Sequence, residues 1–309
     1  MLYNFRFRGE SEESRPSQIQ VGLAYTQENQ ILAYMPFQLF ADEERWWIQG
    51  ELGFYRYIYR FYGIGNEVPA SNEETYQATY PRVRLDVMRE LKPDWYLGLR
   101  YWYDNYRIDM RDPDGLLTQQ PITGSDGNVV SALGLVSIYD TRDNLFFPRA
   151  GTFAQFSYLS NQPAFGSELS FNRYALDVSQ YLPFGKKVLA LNAYTDLLFG
   201  NPPFQQLALI GGSKKMRGFF EGRYRDQKLW MLQAEYRFPV WNWLGATVFG
   251  GIGNVSPTVD ELFAQRVHQT LGAGLRIRLS QEDPINLRVD VGFNEAGEWF
   301  PYLTVGEAF

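Results

Sequence analysis

The sequence predicts an all-β fold, a transmembrane antiparallel β-barrel, and three observations carry that prediction. Polar and apolar residues alternate along most of the chain. Aromatic residues are abundant although the chain is not greasy overall. Tight connections alternate with long ones. Successive side chains of a strand point to opposite faces, so a wall between lipid and water reads as a period of two. The 309 residues include 21 Tyr, 23 Phe and 8 Trp at a mean hydropathy of −0.33, which suits rings gathered in girdles at two membrane interfaces. No run approaches the roughly 18 to 20 apolar residues of a membrane helix.

Alternation places strands at about 2–8, 17–26, 31–40, 45–59, 76–91, 95–110, 129–141, 151–160, 167–182, 187–199, 227–239, 243–254, 267–279, 284–293 and 299–309. That is about fifteen, and many reach the 9 to 11 residues a tilted strand needs to cross a bilayer. Between 230 and 238, Trp230, Leu232, Ala234, Tyr236 and Phe238 form a lipid face, and Met231, Gln233, Glu235 and Arg237 a water face. Trp95, Leu97, Leu99, Tyr101 and Tyr103 likewise point outward, with Gly98, Arg100 and Asp104 inward. Asn286, Arg288 and Asp290 fall on an inner face.

The connections 91–94, 182–187, 239–243 and 280–284 are tight, whereas 60–75, 111–128, 200–226 and 255–266 are long. Outer-membrane barrels have short periplasmic turns and long external loops, so this pattern assigns the sides. Counting back from the last strand, the first also runs inward, and an outward strand is expected before residue 1, for a parent of about sixteen strands. The opening MLYNFRFRGE has no apolar signal core, so a processed or truncated chain is expected. Residues 1–309 show no linker or repeat and read as a single barrel domain.

Three stretches resemble the BamA/TamA superfamily of outer-membrane barrels, also called the bacterial surface antigen family. Asp140-Thr141-Arg142-Asp143-Asn144, continuing to Pro148 and Gly151, resembles its periplasmic turn. Met216-Arg217-Gly218-Phe219 is similar to its internal-loop motif, and 303–309, with Gly306 and the aromatic end Phe309, resembles its terminal assembly signal. The resemblance implies insertion or translocation of proteins at the bacterial outer membrane, by opening the seam between first and last strands. The alternative is a passive pore or scaffold subunit. It also implies POTRA modules ahead of the barrel. None lies within 1–309, so delivery of clients would need periplasmic or outer-membrane partner proteins.

In the family the internal loop folds into the lumen, where its Arg meets an inward carboxylate. A guanidinium taken from bulk water needs such a partner. The family's Phe-x-Asp on the following strand reads Phe249-Gly250-Gly251 here, which leaves Asp290 and Glu235 as candidates for Arg217, Asp290 slightly favoured because Arg237 flanks Glu235. Glu51, Asp86, Asp104 and Asp290 are interleaved with Arg82, Arg84, Arg100, Arg276 and Arg288, as a water-filled lumen requires.

Other functions find little support. His268 is the single histidine, and no nucleophile pattern accompanies it, so no enzyme is expected. Asp112-Pro113-Asp114-Gly115 lacks the bidentate Glu of a calcium loop, and no metal or cofactor is expected. A net charge of −6 with basic residues gathered in one loop disfavours nucleic acid. The expected surroundings are the lipid bilayer and lipopolysaccharide.

Overall fold

The computed structural model describes residues 2–12, 14–110, 112–145, 147–279 and 286–309. One antiparallel sheet contains β1 (Leu2–Phe5), β2 (Ser17–Gln20), β3 (Gly22–Tyr25), β4 (Ile31–Ala41), β5 (Trp46–Phe61), β6 (Glu74–Lys92), β7 (Trp95–Met110), β8 (Asn128–Asp140), β9 (Gly151–Asn161), β10 (Phe171–Phe184) and β11 (Lys187–Gly200). A short hairpin of β12 (Ala208–Ile210) and β13 (Tyr224–Asp226) follows. The sheet then resumes with β14 (Lys228–Pro239), β15 (Leu244–Ser256), β16 (His268–Arg278), β17 (Asn286–Asn294) and β18 (Trp299–Val305). β2 and β3 are halves of one interrupted strand, so the 16 strands of the sheet fill fifteen places in the wall. No ladder joins β1 to β18 among the described residues.

The two faces separate as the alternation requires. Leu97, Leu99, Leu232, Leu271 and Leu275 are exposed on the outside, while Asp86, Arg100, Glu235, Arg276 and Asp290 are buried within. Several strand ends differ from those read in the sequence. β1 stops at Phe5, before a turn at 8–9. β10 begins only at Phe171, because Pro163–Phe165 makes a 3₁₀ turn that closes on Gly166 at a φ of 89°. β18 ends at Val305 rather than 309, where Gly306 adopts a φ of 83° and turns the tail away from the wall. The expected tight turn at 280–284 lies outside the described residues.

The lumen is not water-filled throughout. In the half towards the long loops, Phe61, Tyr76, Tyr106, Phe171, Leu198 and Val255 on the wall pack against Phe204, Ile210, Met216 and Phe219 of the segment 201–226. Period-two patterning alone could not show that an apolar plug would meet those wall residues.

Two prolines shape the edges. Thr26 N–H donates to the Gln30 carbonyl, and that register puts Pro36 of β4 opposite Gln20 in a pair that should exchange hydrogen bonds. Proline has no donor to give, and the strand is interrupted there, between β2 and β3. On β18, the bonds from Asn294 N–H to Glu298 O and from Gly306 N–H to Asn286 O fix the even-numbered residues as the pairs bonded to β17. The amides of Trp299, Leu303 and Val305 therefore point to the free edge. Pro301, at the same phase, offers none.

Candidate functional site

The site is built where the segment 211–219 dips into the lumen against β14–β18. Gly211 and Gly212, with φ of 109° and 94°, reverse the backbone, and Met216 also takes a positive φ of 51°. Gln233 of β14 brackets the tip: its Oε1 accepts the Met216 N–H at 2.8 Å and its Nε2 donates to the Lys214 carbonyl at 3.2 Å. Gly251 and Gly253 leave room on β15 for Met216, whose sulfur would sit 2.9 Å from a Cβ added at Gly253. The missing carboxylate of Phe249-Gly250-Gly251 is thus replaced by space for Met216 and by the Phe249 ring. The Arg217 guanidinium stacks 3.6 Å from that ring's centroid.

Arg217 is 1% exposed and donates to both candidates, through Nη1 to Asp290 and through Nη2 to Glu235. Asp290 also accepts from Arg276 Nη1 at 2.5 Å, and the other oxygen of Glu235 accepts from Arg237 Nε at 2.6 Å. Arg276 Nε reaches Glu307 at 2.6 Å. Three guanidiniums, Arg217, Arg237 and Arg276, thus interleave with three carboxylates, Glu235, Asp290 and Glu307. Buried charges persist only when neutralised and hydrogen-bonded in this way.

β17 and β18 complete the cradle. Gly292 lies under the loop, and a Cβ there would meet the Arg217 carbonyl at 2.6 Å. The Gly218 N–H donates to Tyr302 Oη at 3.0 Å, and that hydroxyl donates to the Phe219 carbonyl at 3.0 Å. Gly218 itself takes a φ of 129°, close against the Phe293 carbonyl. Phe219 is buried in the apolar plug.

Arg237 joins the three stretches singled out in the sequence. Beyond Glu235, its Nη1 donates to the Pro148 carbonyl at 3.1 Å and its Nη2 to the Phe309 carbonyl at 3.1 Å. In the turn, Arg142 and Asp140 form a bidentate pair at 2.8 Å for each bond. Asp143 accepts from the Arg149 and Ala150 amides, and Asn144 from the Phe147 amide, which fixes the reversal into Gly151 at a φ of 102°. Phe309 packs by Tyr181, Val188 and Ala190 on the inner wall. The tail therefore closes the short-turn end of the ionic chain.

Sequence reasoning missed Glu307, Gln233, Tyr302 and Gly292 as members of this site. Alternation alone marks Gln233 as inward. The other three depend on where the tail and loop come to rest.

A family model, the Omp85 superfamily domain, matches residues 16–296. The chain belongs to the Omp85 superfamily. That membership places this Omp85 barrel in the bacterial outer membrane, within the lipid bilayer, and makes the short turns periplasmic. Among solved structures, BamA from Haemophilus ducreyi lacking POTRA domains 1–3 is similar with a TM-score of 0.63 at 16% identity, over 94% of this chain and 64% of that one. CdiB from Acinetobacter baumannii is similar at 0.59 and 12%, over 94% and 53%, and CdiB from Escherichia coli at 0.56 and 12%, over 98% and 61%. This barrel spans less than two thirds of each of those chains. No curated protein matches the sequence.

Proposed function

We propose that this Omp85 barrel, a single domain over 1–309, inserts or translocates polypeptides at the outer membrane by offering the edge of β18 to a client strand. The observation that carries this reading is the edge of β18, which no ladder covers among the described residues and towards which the Trp299, Leu303 and Val305 amides point. Added strands bind such edges through main-chain hydrogen bonds. The apolar plug across the outer half argues against an open diffusion pore. No catalytic step belongs to this reading.

One feature favours the scaffold alternative: Pro301 removes a donor from the edge, a device by which sheets avoid unwanted partners. Exposed Arg56 and Arg107 near the outer rim are suited to lipopolysaccharide phosphates. Periplasmic or outer-membrane partner proteins are the expected companions of this activity.

A photo-crosslinking side chain at Leu303 tests the reading, with the same substitution at Leu232, away from the edge, as control. Adducts with nascent outer-membrane strands are expected at 303 and not at 232. Client-free cells and client-expressing cells giving the same products at both positions would leave the scaffold role standing in its place.

A further inference from the structure

His268 opens β16 at the outer end of the barrel, 1% exposed, outside the ionic chain around Arg217. Its Nδ1 lies 2.7 Å from Glu295 Oε1 and its Nε2 lies 2.9 Å from the Asn66 carbonyl oxygen. A carbonyl only accepts, and so does an ionised carboxylate. A neutral imidazole has one N–H and one lone pair, so it would set that lone pair against an acceptor on one side. The imidazolium donates on both.

The surroundings agree with an ionised partner. Burial raises the Glu295 carboxyl, but hydrogen bonds from His268 and from the Glu295 and Gln269 amides outweigh it and hold the group below the usual carboxylate range. The His268 ring stacks on Tyr224, 3.8 Å between centroids at 12°, and meets Phe219 edge-on at 5.7 Å. Cations favour aromatic faces in this way. The other charged groups around it are Arg266, 3.8 Å from Glu295, Arg223, whose guanidinium lies 4.5 Å from the Tyr224 centroid, Glu298 on the same turn as Glu295, and Glu67 beside Asn66.

One ring therefore touches four pieces of the outer end: β16, the β17–β18 turn, the loop 62–73 and the lumen segment carrying Phe219 and Tyr224. Asn66 extends the contact, donating to the Arg266 carbonyl at 2.8 Å and accepting the Val255 N–H at 3.0 Å. We propose that His268 is a doubly protonated latch that holds the loop 62–73 and the lumen segment against the C-terminal wall, and that loss of its proton loosens this outer lid. The ring can donate to both acceptors only while both of its nitrogens carry a proton. Glu295 contributes as an ionised acceptor, and that contribution is lost as pH falls through its depressed value.

Because His268 is the single histidine, ¹⁵N-histidine labelling of the whole barrel in nanodiscs reports on it alone. At about pH 7 both ring nitrogens should give the protonated pattern, and Glu295→Gln, which removes the ionised one of the two acceptors, should lose it. External protease cleavage within 62–73 should rise about tenfold from pH 6 to pH 9 in the unaltered protein and stay flat in His268→Gln. Heat-modifiable gel mobility confirms that both variants are folded. A single neutral tautomer at about pH 7, or cleavage that ignores pH while the ring titrates, overturns the latch.

Discussion

The wall from β14 to β18 and the wall from β1 to β4 are built from the same alternation, yet they differ in what their inner faces hold. The first carries a neutralised chain of arginines and carboxylates, clasps the lumen loop, and is tied to the tail through Glu307 and Phe309. The second begins with 4 paired residues, is interrupted opposite Pro36, and presents Gln18, Gln20 and Gln38, which form no side-chain hydrogen bonds among the described residues. It is also low. The ladder between β4 and β5 stops at Ile31 and Arg56, although β5 continues to Phe61. The difference teaches where the barrel can yield: the loop stiffens the C-terminal side of the seam, and local opening is cheapest where ladders are short.

Glu235→Ala should have the largest effect, because it removes the carboxylate that Arg217, Arg237 and Arg276 all touch. Removing one member of a buried ionic cluster costs about 3 to 5 kcal/mol, read as a lowered midpoint of the heat-induced mobility shift. If the midpoint does not move, the two walls do not differ in the way described. Gly292→Ala should follow. Its methyl group would press on the Arg217 carbonyl, and overpacking of this kind costs about 1 to 3 kcal/mol; Arg217→Ala made in the same background should add less than it does alone. The smallest change sharpens the other side. Pro36→Ala returns a donor to the Gln20 carbonyl, worth about 0.5 to 1.5 kcal/mol, and should slow amide exchange in 17–25 while leaving 228–239 unchanged.

Period-two patterning made the wall legible, because every strand that separates lipid from water must alternate. The Met216–Phe219 motif and the inward phase of Glu235 and Asp290 were legible too, one through resemblance and the other through parity. What stayed hidden depends on tertiary closure. Gly292 reads as any strand glycine until the loop is laid over it. Glu307 and Phe309 read as the end of a strand, since a left-handed Gly306 cannot be told from a flat one in sequence. The apolar plug was hidden because Tyr76, Tyr106 and Phe171 sit on an inner face that alternation treats as wet.

The most direct test of the account is amide hydrogen exchange on the barrel in nanodiscs, with and without Arg217→Ala. The account predicts that β14–β17 are protected and β1–β4 exchange fastest, and that Arg217→Ala abolishes much of the protection in 211–219 and in β17 while β1–β4 keep their rates. Uniform exchange around the wall, or a variant in which 211–219 remains protected, would contradict the claim that Arg217 binds the loop to a rigid C-terminal wall beside a pliable N-terminal one.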